Sequence, residues 1–436
     1  MPKATRSTDM RVLKIFASIL IVASLLLSIV SCAYPKPPSG HSADDDKPTA
    51  TVLDREALEG AMDAALAKLD HLMAKYPYYF PSGSSTDGKY GTDKNVSGWV
   101  TGFFTGMLFL AYEYTEDIKY LSAALDHMDT FIHRVDNNVG MNDHDIGFNF
   151  MLSTVYAYRA TGDTLYRDKA VAAARVLANR FFENGQYISV MGTMGGANPN
   201  VRHFSLIIDT LMNLPLLYWA SEETEDPEFA RRAIAHLNTT MSTVIREDGS
   251  TYQDAYFDKD TGAFTHGDTR QGSKEHMNMG GSWSRGHAWG MLGMPISYSY
   301  NNDSEIVANY YKIVDFYISR LPEDNVAYWD LYFTDGDEPR DSSAAAISVC
   351  GLIESTRNMP LSEDKKVEYT EAYEKIMLSL INDYATADGD GNDGLLAHGT
   401  HYYAGGTGVD ECCIFGDYFY MEALMRLLRP DYDGYW

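Results

Sequence analysis

The sequence predicts an all-α fold, an (α/α)6 barrel of six inner and six outer helices. Three observations predict it. Apolar helices alternate with amphipathic ones, and the turns between partners repeat an acidic N-cap. The last apolar helix has no following partner, and the first amphipathic helix of the chain can supply one.

Taken in order, the first element is "DREALEGAMDAALAKLDHLMAKY" from Asp54, an outer helix waiting for its inner mate. "TGFFTGMLFLAYEYT" is apolar nearly all round, as a helix buried on every side must be. "DIKYLSAALDHMDTFIHRV" then sets Leu121, Ala124, Leu125, Met128, Ile132 and Val135 on one face. The couple recurs as "IGFNFMLSTVYAYRAT" with "TLYRDKAVAAARVLANRFF", and as "LIIDTLMNLPLLYWASEE" with "PEFARRAIAHLNTTMSTVI". It recurs again as "GHAWGMLGMPISYSY" with "SEIVANYYKIVDFYISRL", and as "SSAAAISVCGLIESTRN" with "EYTEAYEKIMLSLINDYA". "GDYFYMEALMRLL" is the unpartnered sixth. The turns "YTEDIKY", "TGDTLYRD", "TEDPEFAR" and "NNDSEIVA" each place an acid where the second helix needs its cap. An open superhelix of helix pairs is the alternative. The long loops before inner helices, such as "PSGSSTDGKYGTDKNVSGW", are expected to line one mouth of the barrel.

The N-terminus reads differently. Lys3, Arg6, Arg11 and Lys14 precede the apolar run "IFASILIVASLLLSIV", which ends before Cys32. This resembles a bacterial lipoprotein signal over residues 1–32, with Cys32 as the lipidated first residue of the mature protein. Retention as a signal anchor is the alternative. Residues 33–53 form a Pro/Ser/Asp-rich flexible tether. Residues 54–436 are expected to be a single (α/α)6-barrel domain, exported and membrane-anchored in the periplasm or on the outer membrane.

The chain carries 436 residues and a formal charge of −26, which excludes nucleic acid and an anionic membrane surface as partners. Contact with a membrane is expected only through the lipid. Beyond Cys32 stand Cys350, Cys412 and Cys413 without metal-ligand spacing. "DGDGNDG" from Asp388 departs from a calcium loop, with Asp393 and Gly399 where glycine and glutamate are required. No metal and no cofactor is expected. Oligomeric state cannot be read from the sequence.

Chemistry concentrates at the starts of the inner helices. "NDHDIGFNFMLS" sets Asp143, His144 and Asp145 in a row before Gly147. Asp145 reads as a helix cap or as a site carboxylate. Asp209 lies inside the apolar "FSLIIDTLMNLPLL", where an unpaired carboxylate is costly, and reads as a mid-helix functional acid with a raised pKa. In "GSWSRGHAWGM", Arg285 and Trp289 stand four apart on one helix face. Such a pair suits the carboxylate and ring face of a uronic acid, or a cation–π contact in the core.

These motifs, with "NVSGWVTGFFTG", "TRQGS", "YWD" and "RDSSAAAISVCGLIE", resemble the unsaturated glucuronyl hydrolases of glycoside hydrolase family 88 from about residue 54 to Trp436. The resemblance implies an (α/α)6 barrel and a hydrolase for oligosaccharides bearing a 4,5-unsaturated uronate at the non-reducing end. Reaction would proceed by hydration of the C4=C5 vinyl ether rather than by attack at the anomeric carbon. It assigns the acid/base role to Asp209 and the second essential carboxylate to Asp145, beside His144. It places Trp99 and Trp289 in aromatic subsites, and Gln271 and Arg285 on the uronate and its carboxylate. Gln253 and Arg270 stand at substrate-side positions where many members have histidine, and Met191 where they have tryptophan. The Ser-x-x-Ser-x-Lys-like element that goes with sulfated glycosaminoglycans is absent from "HGTHYYAGGTGVDE". Alternatives are an unsaturated rhamnogalacturonyl hydrolase and a non-catalytic glycan-binding helical lipoprotein.

Overall fold

The computed structural model describes residues 50–93, 96–190, 204–274, 280–432 and 436. The leader, Cys32, most of the tether and Met191 lie outside the described residues. Among the described residues the inner ring consists of Thr101–Thr115, Ile146–Phe150 continued by Tyr156–Thr161, Pro215–Thr224, Ser284–Asn301, Ser342–Asn358 and Ile414–Leu428. Their outer partners are Ile118–Asp126 with Met128–Asn137, Thr164–Ala178, Pro227–Val244, Ser304–Ser319, Glu363–Ser379 and Arg55–Lys75. Ile414–Leu428 packs on Ser342–Asn358, on Thr101–Thr115 and on Arg55–Lys75. The ring therefore closes, and the open superhelix is excluded. None of these helices is long and apolar enough to cross a membrane.

The pairing turns share one geometry. Glu116, Gly162, Glu225 and Asn302 end their inner helices in the left-handed region, at φ 58°, 72°, 56° and 53°. The aspartate that follows each accepts a hydrogen bond from the backbone N–H two residues on. These are Asp117 to Lys119, Asp163 to Leu165, Asp226 to Glu228 and Asp303 to Glu305. A side-chain oxygen thus satisfies an N–H that the helix leaves orphaned, which is why the acid recurs.

Two inner helices start irregularly, and both bear site residues. Ile146–Phe150 passes through a π turn, Met151–Val155, before continuing. The third inner helix does not begin at Leu206 as its apolar run suggests. Ser205–Ile207 is a strand paired with Asp254–Phe257, Ile208–Met212 is a 3-10 turn, and the α-helix starts only at Pro215. Proline lacks an N–H and is tolerated in the first turn, so it sets the start there. Asp209 consequently sits in the 3-10 turn and not in mid-helix.

Gly293 lets Ser284–Asn301 approach that turn closely, since a Cβ there would stand 2.6 Å from Leu211 Cβ. Short hairpins decorate the chain between helices, including Phe80–Thr86 with Lys89–Asp93, and Gly399–Tyr402 with Thr407–Glu411. The sequence reading treated the first as a loop. At the core, Trp436 buries its indole against Phe419 and donates to Glu422 at 2.9 Å.

Candidate active site

The entrances to the inner helices surround a cavity of about 360 Å³. Trp99, His144, Asp145, Asp209, Gln253, Arg270, Gln271 and Arg285 all line it. Trp289 does not. It is fully buried between Phe148 and Phe419, so an aromatic-subsite role is replaced by a core role. Its ring is also not the one beside Arg285, whose guanidinium lies 4.6 Å from the rings of Trp283 and Phe415.

The two acids are held by one amide. Asn213 Nδ2 donates toward Asp145 Oδ1 at 3.5 Å and to the Asp209 carbonyl at 3.3 Å, while its Oδ1 accepts from Phe148 N at 2.9 Å. Gly147 makes this possible, because a Cβ there would stand 2.3 Å from the Asn213 Cα. Asp145 precedes its helix, yet its side chain makes no capping hydrogen bond. The cap reading falls, and the carboxylate is left to the cavity.

Electrostatics favour protonated acids. Asp209 Oδ1 is buried without a hydrogen-bond partner. Burial pushes the Asp209 carboxyl up to about 7; Arg285 and Arg270 oppose the rise and Asp254 adds to it. Asp145 is raised well above the carboxylate range, first by burial, then by Asp143 and Asp209, against the Asn213 hydrogen bond and Arg180. Asp143, also lining the cavity, is raised by burial, opposed by the Asp145 N–H, Arg180 and Arg134. Three carboxyls thus share a small space with incomplete compensation, a setting that keeps protons available near neutral pH.

The cations are largely engaged. Arg270 grips the buried Asp254 through Nε at 2.6 Å and Nη2 at 3.3 Å. Arg285 donates through Nη1 to Asp341 at 3.0 Å and to the Thr400 carbonyl, and through Nη2 to the His401 carbonyl at 2.5 Å. Its Nε–H is buried without a hydrogen-bond partner, on a guanidinium that lines the cavity. The Gln253 Oε1 accepts from Gln271 N at 2.9 Å, whereas Gln253 Nε2 and Gln271 Oε1 are buried without partners. His144 is set by Thr210 Oγ1 at 3.0 Å and faces Asp145 at 3.6 Å.

Among the described residues, no group of acids, histidines and cysteines has the geometry to hold a metal. The would-be calcium loop is occupied by lysines: Asp390 meets Lys68 at 3.2 Å, and Asp393 meets Lys75 at 2.6 Å and Lys89 at 3.1 Å.

Sequence reasoning passed over Asp143, Trp283, Asp254, Asp341, His401 and Tyr402. Asp143 stood in a stretch already singled out. Asp254 and Asp341 work only as partners of arginines distant in sequence, a relation that periodicity does not carry. Burial, with Arg285 beside it, pushes His401 down to about 4, leaving a neutral imidazole on the cavity wall.

Residues 77–422 match Glycosyl Hydrolase Family 88. The chain is 36% identical over 382 residues to an unsaturated chondroitin disaccharide hydrolase from Streptococcus agalactiae, covering 87% of this chain and 92% of that one. It is 35% identical to an unsaturated glucuronyl hydrolase from a Bacillus species, covering 86% of this chain and 98% of that one. The crystal structure of an unsaturated glucuronyl hydrolase from Streptococcus agalactiae superposes with a TM-score of 0.84 at 36% identity, covering 89% of this chain and 95% of that one.

Proposed function

The chain belongs to glycosyl hydrolase family 88, and from that premise we propose that it releases 4,5-unsaturated uronate from the non-reducing end of lyase-generated oligosaccharides. The observation that carries the reading is Asp209, a half-buried acid raised to about 7 inside a cavity shared with Asp145. A vinyl ether needs a proton at carbon, and a carboxylic acid still protonated near neutral pH supplies it.

Asp209 delivers its proton to C4, and the positive charge that forms at C5 is shared with the ring oxygen. Water adds at C5 and returns a proton to Asp209, regenerating the acid. The resulting hemiketal opens by breaking the bond between C5 and the ring oxygen. C1 is left as a hemiacetal that expels the aglycone and becomes an aldehyde. Asp145, whose carboxyl is raised first by burial and then by Asp143 and Asp209, holds the attacking water or the adjacent hydroxyl. The unpartnered Nε–H of Arg285 and the unpaired amide of Gln253 receive the uronate carboxylate. Trp99, stacked on Phe415 at 5.1 Å, gives the sugar an apolar wall. Because no group attacks C1, the carboxylate-separation rule for retaining and inverting enzymes does not govern the outcome.

The streptococcal relative's name supports a glycosaminoglycan-derived disaccharide as substrate. The test is a panel of unsaturated disaccharides, following loss of the conjugated-alkene ultraviolet absorbance. Loss on at least one member is expected, and none on any member would favour a glycan-binding protein.

We also propose that residues 1–32 direct export and that Cys32 is lipidated, with residues 33–53 tethering a catalytic domain formed by residues 54–436. The basic, apolar and small-residue succession before Cys32 supports this.

A further inference from the structure

A second cavity, of about 170 Å³, shares no lining residue with the catalytic one. It lies where the outer helices Arg55–Lys75 and Ile118–Asp126 end beside the first turns of Thr101–Thr115. Its walls are mostly apolar: Tyr76, Phe104 and Leu108 are buried, and Met73 and Ala123 pack against the core. Tyr78 also lines it, yet its ring is 72% exposed. A large ring left open to water at the rim of an apolar cavity is a feature of ligand sites.

His127 supplies the polar group. The residue is 2% exposed, and its ring is flanked by Phe80 and Phe104, with centroids 4.6 and 5.6 Å away. Burial pushes the imidazole down to about 4, so it is neutral. Nδ1 meets the Thr105 hydroxyl at 3.1 Å. That hydroxyl is fully buried and has no other partner among the described residues, so its proton goes to Nδ1 and the ring proton sits on Nε2. With Nδ1 taken, the Nε2–H edge is left for the cavity, where no described residue accepts from it. A buried donor without an acceptor is costly, and a ligand oxygen removes that cost.

The remaining lining residues narrow the ligand. Among the described residues that line the cavity there is no lysine or arginine, and the exposed Asp126 is an acid. An anionic group therefore finds no partner here, whereas a ligand hydroxyl or amide N–H finds Asp126. The exposed Tyr78 ring suits the apolar face of a pyranose. An acetamido group on that pyranose matches the rest, because its methyl is apolar, its carbonyl accepts and its N–H donates.

We propose that this cavity is a second glycan site, separate from the catalytic one, that takes an uncharged N-acetylhexosamine unit. The acetamido methyl enters among Met73, Phe104 and Leu108, its carbonyl accepts from His127 Nε2–H, and the pyranose lies on Tyr78. The inference goes beyond uronate release and does not depend on it.

The test is a titration of the histidine-15N-labelled full chain with the methyl glycoside of N-acetylglucosamine, followed at the His127 ring nitrogens. His127→Phe assigns the resonance by its disappearance, and His127→Gln does so if the phenylalanine variant does not fold. The free protein should show the Nε2–H tautomer. The glycoside should shift that signal with a Kd of ~1–10 mM. Methyl glucoside, which lacks the acetamido group, should bind at least about tenfold more weakly. Tyr78→Ala, an exposed position, should weaken the N-acetyl ligand about fivefold and leave turnover in the catalytic cavity within about twofold of the parent. An unmoved His127 signal would mean that the cavity holds water only and would overturn the proposal. So would equal affinity for the two glycosides, or unaltered affinity in Tyr78→Ala.

Discussion

Arg285 Nη1 donates to Asp341 across 3.0 Å, and both side chains are buried. The pair also fastens a hairpin, because Arg285 reaches the Thr400 and His401 carbonyls while Asp341 accepts from Thr400 N. A lysine has one nitrogen and cannot make these contacts together. Arg285→Lys should therefore lose turnover and also stability, by roughly 2–4 kcal/mol, because the buried Asp341 keeps its neutral donors at Ser343, Ala344 and Thr400 but loses the guanidinium paired with it. Thermal melting alongside kcat/KM checks this. A variant that melts like the parent but does not turn over would mean that the arginine serves the substrate alone.

Gly147 links the two acid-bearing segments through Asn213. Gly147→Ala would drive a methyl into the Asn213 backbone, an overpacking worth about 1–3 kcal/mol. Activity should fall by at least about 100-fold, because both acids move relative to the substrate. Parent-like activity in the folded variant would show that Asp145 and Asp209 are positioned independently.

Asp145→Asn separates the two readings of its position. The side chain caps nothing, so the amide should cost no stability and should remove the cost of burying a carboxylate there, to which Asp143 and Asp209 add. We expect an unchanged or raised Tm with activity reduced ~10²–10⁴-fold. A Tm drop of the size of a lost cap, about 1 kcal/mol, would restore the capping role.

The barrel was legible because its determinants are local. An inner helix must be apolar all round, and each pairing turn needs a cap acceptor, and both leave marks at fixed spacing. Asp209 was legible as an acid at odds with apolar neighbours, whereas Asp145 read equally as a helix cap until the family resemblance singled it out. The start of the third inner helix was not, since the choice between strand, 3-10 turn and helix at Ser205–Met212 is made by pairing with Asp254–Phe257. Trp289 misled for a related reason. Four-residue spacing puts it on the helix face of Arg285, but Trp283 and Phe415 reach the guanidinium first. Long-range partners such as Asp341 for Arg285 carry no sequence period at all.

The N-terminal proposal stands apart from the barrel. Mature protein should begin at Cys32 and partition with membranes. Cys32→Ala should block processing at that point, seen as a heavier protein by mass spectrometry. An unchanged mature mass and membrane fraction would refute lipidation.

The most direct test of the account is Asp209→Asn, assayed for turnover and for stability as a function of pH. The folded chain holds the Asp209 proton up to about pH 7, whereas an unfolded aspartate releases it near 4 (about 3.9). The folded state therefore binds the extra proton in that interval, and stability falls as pH rises from about 4 to 7 and stays lower above it. The shift is worth at most roughly 4 kcal/mol, and water in the cavity screens part of it. Asp209→Asn should melt like the parent below about pH 4 and be more stable by about 1–2 kcal/mol above pH 7. Parent activity should decline as pH rises through about 7, where the acid loses its proton. The variant should bind substrate but turn it over ~10²–10⁴-fold more slowly. A folded Asp209→Asn protein that consumes the unsaturated disaccharide at the parent's rate would contradict the account.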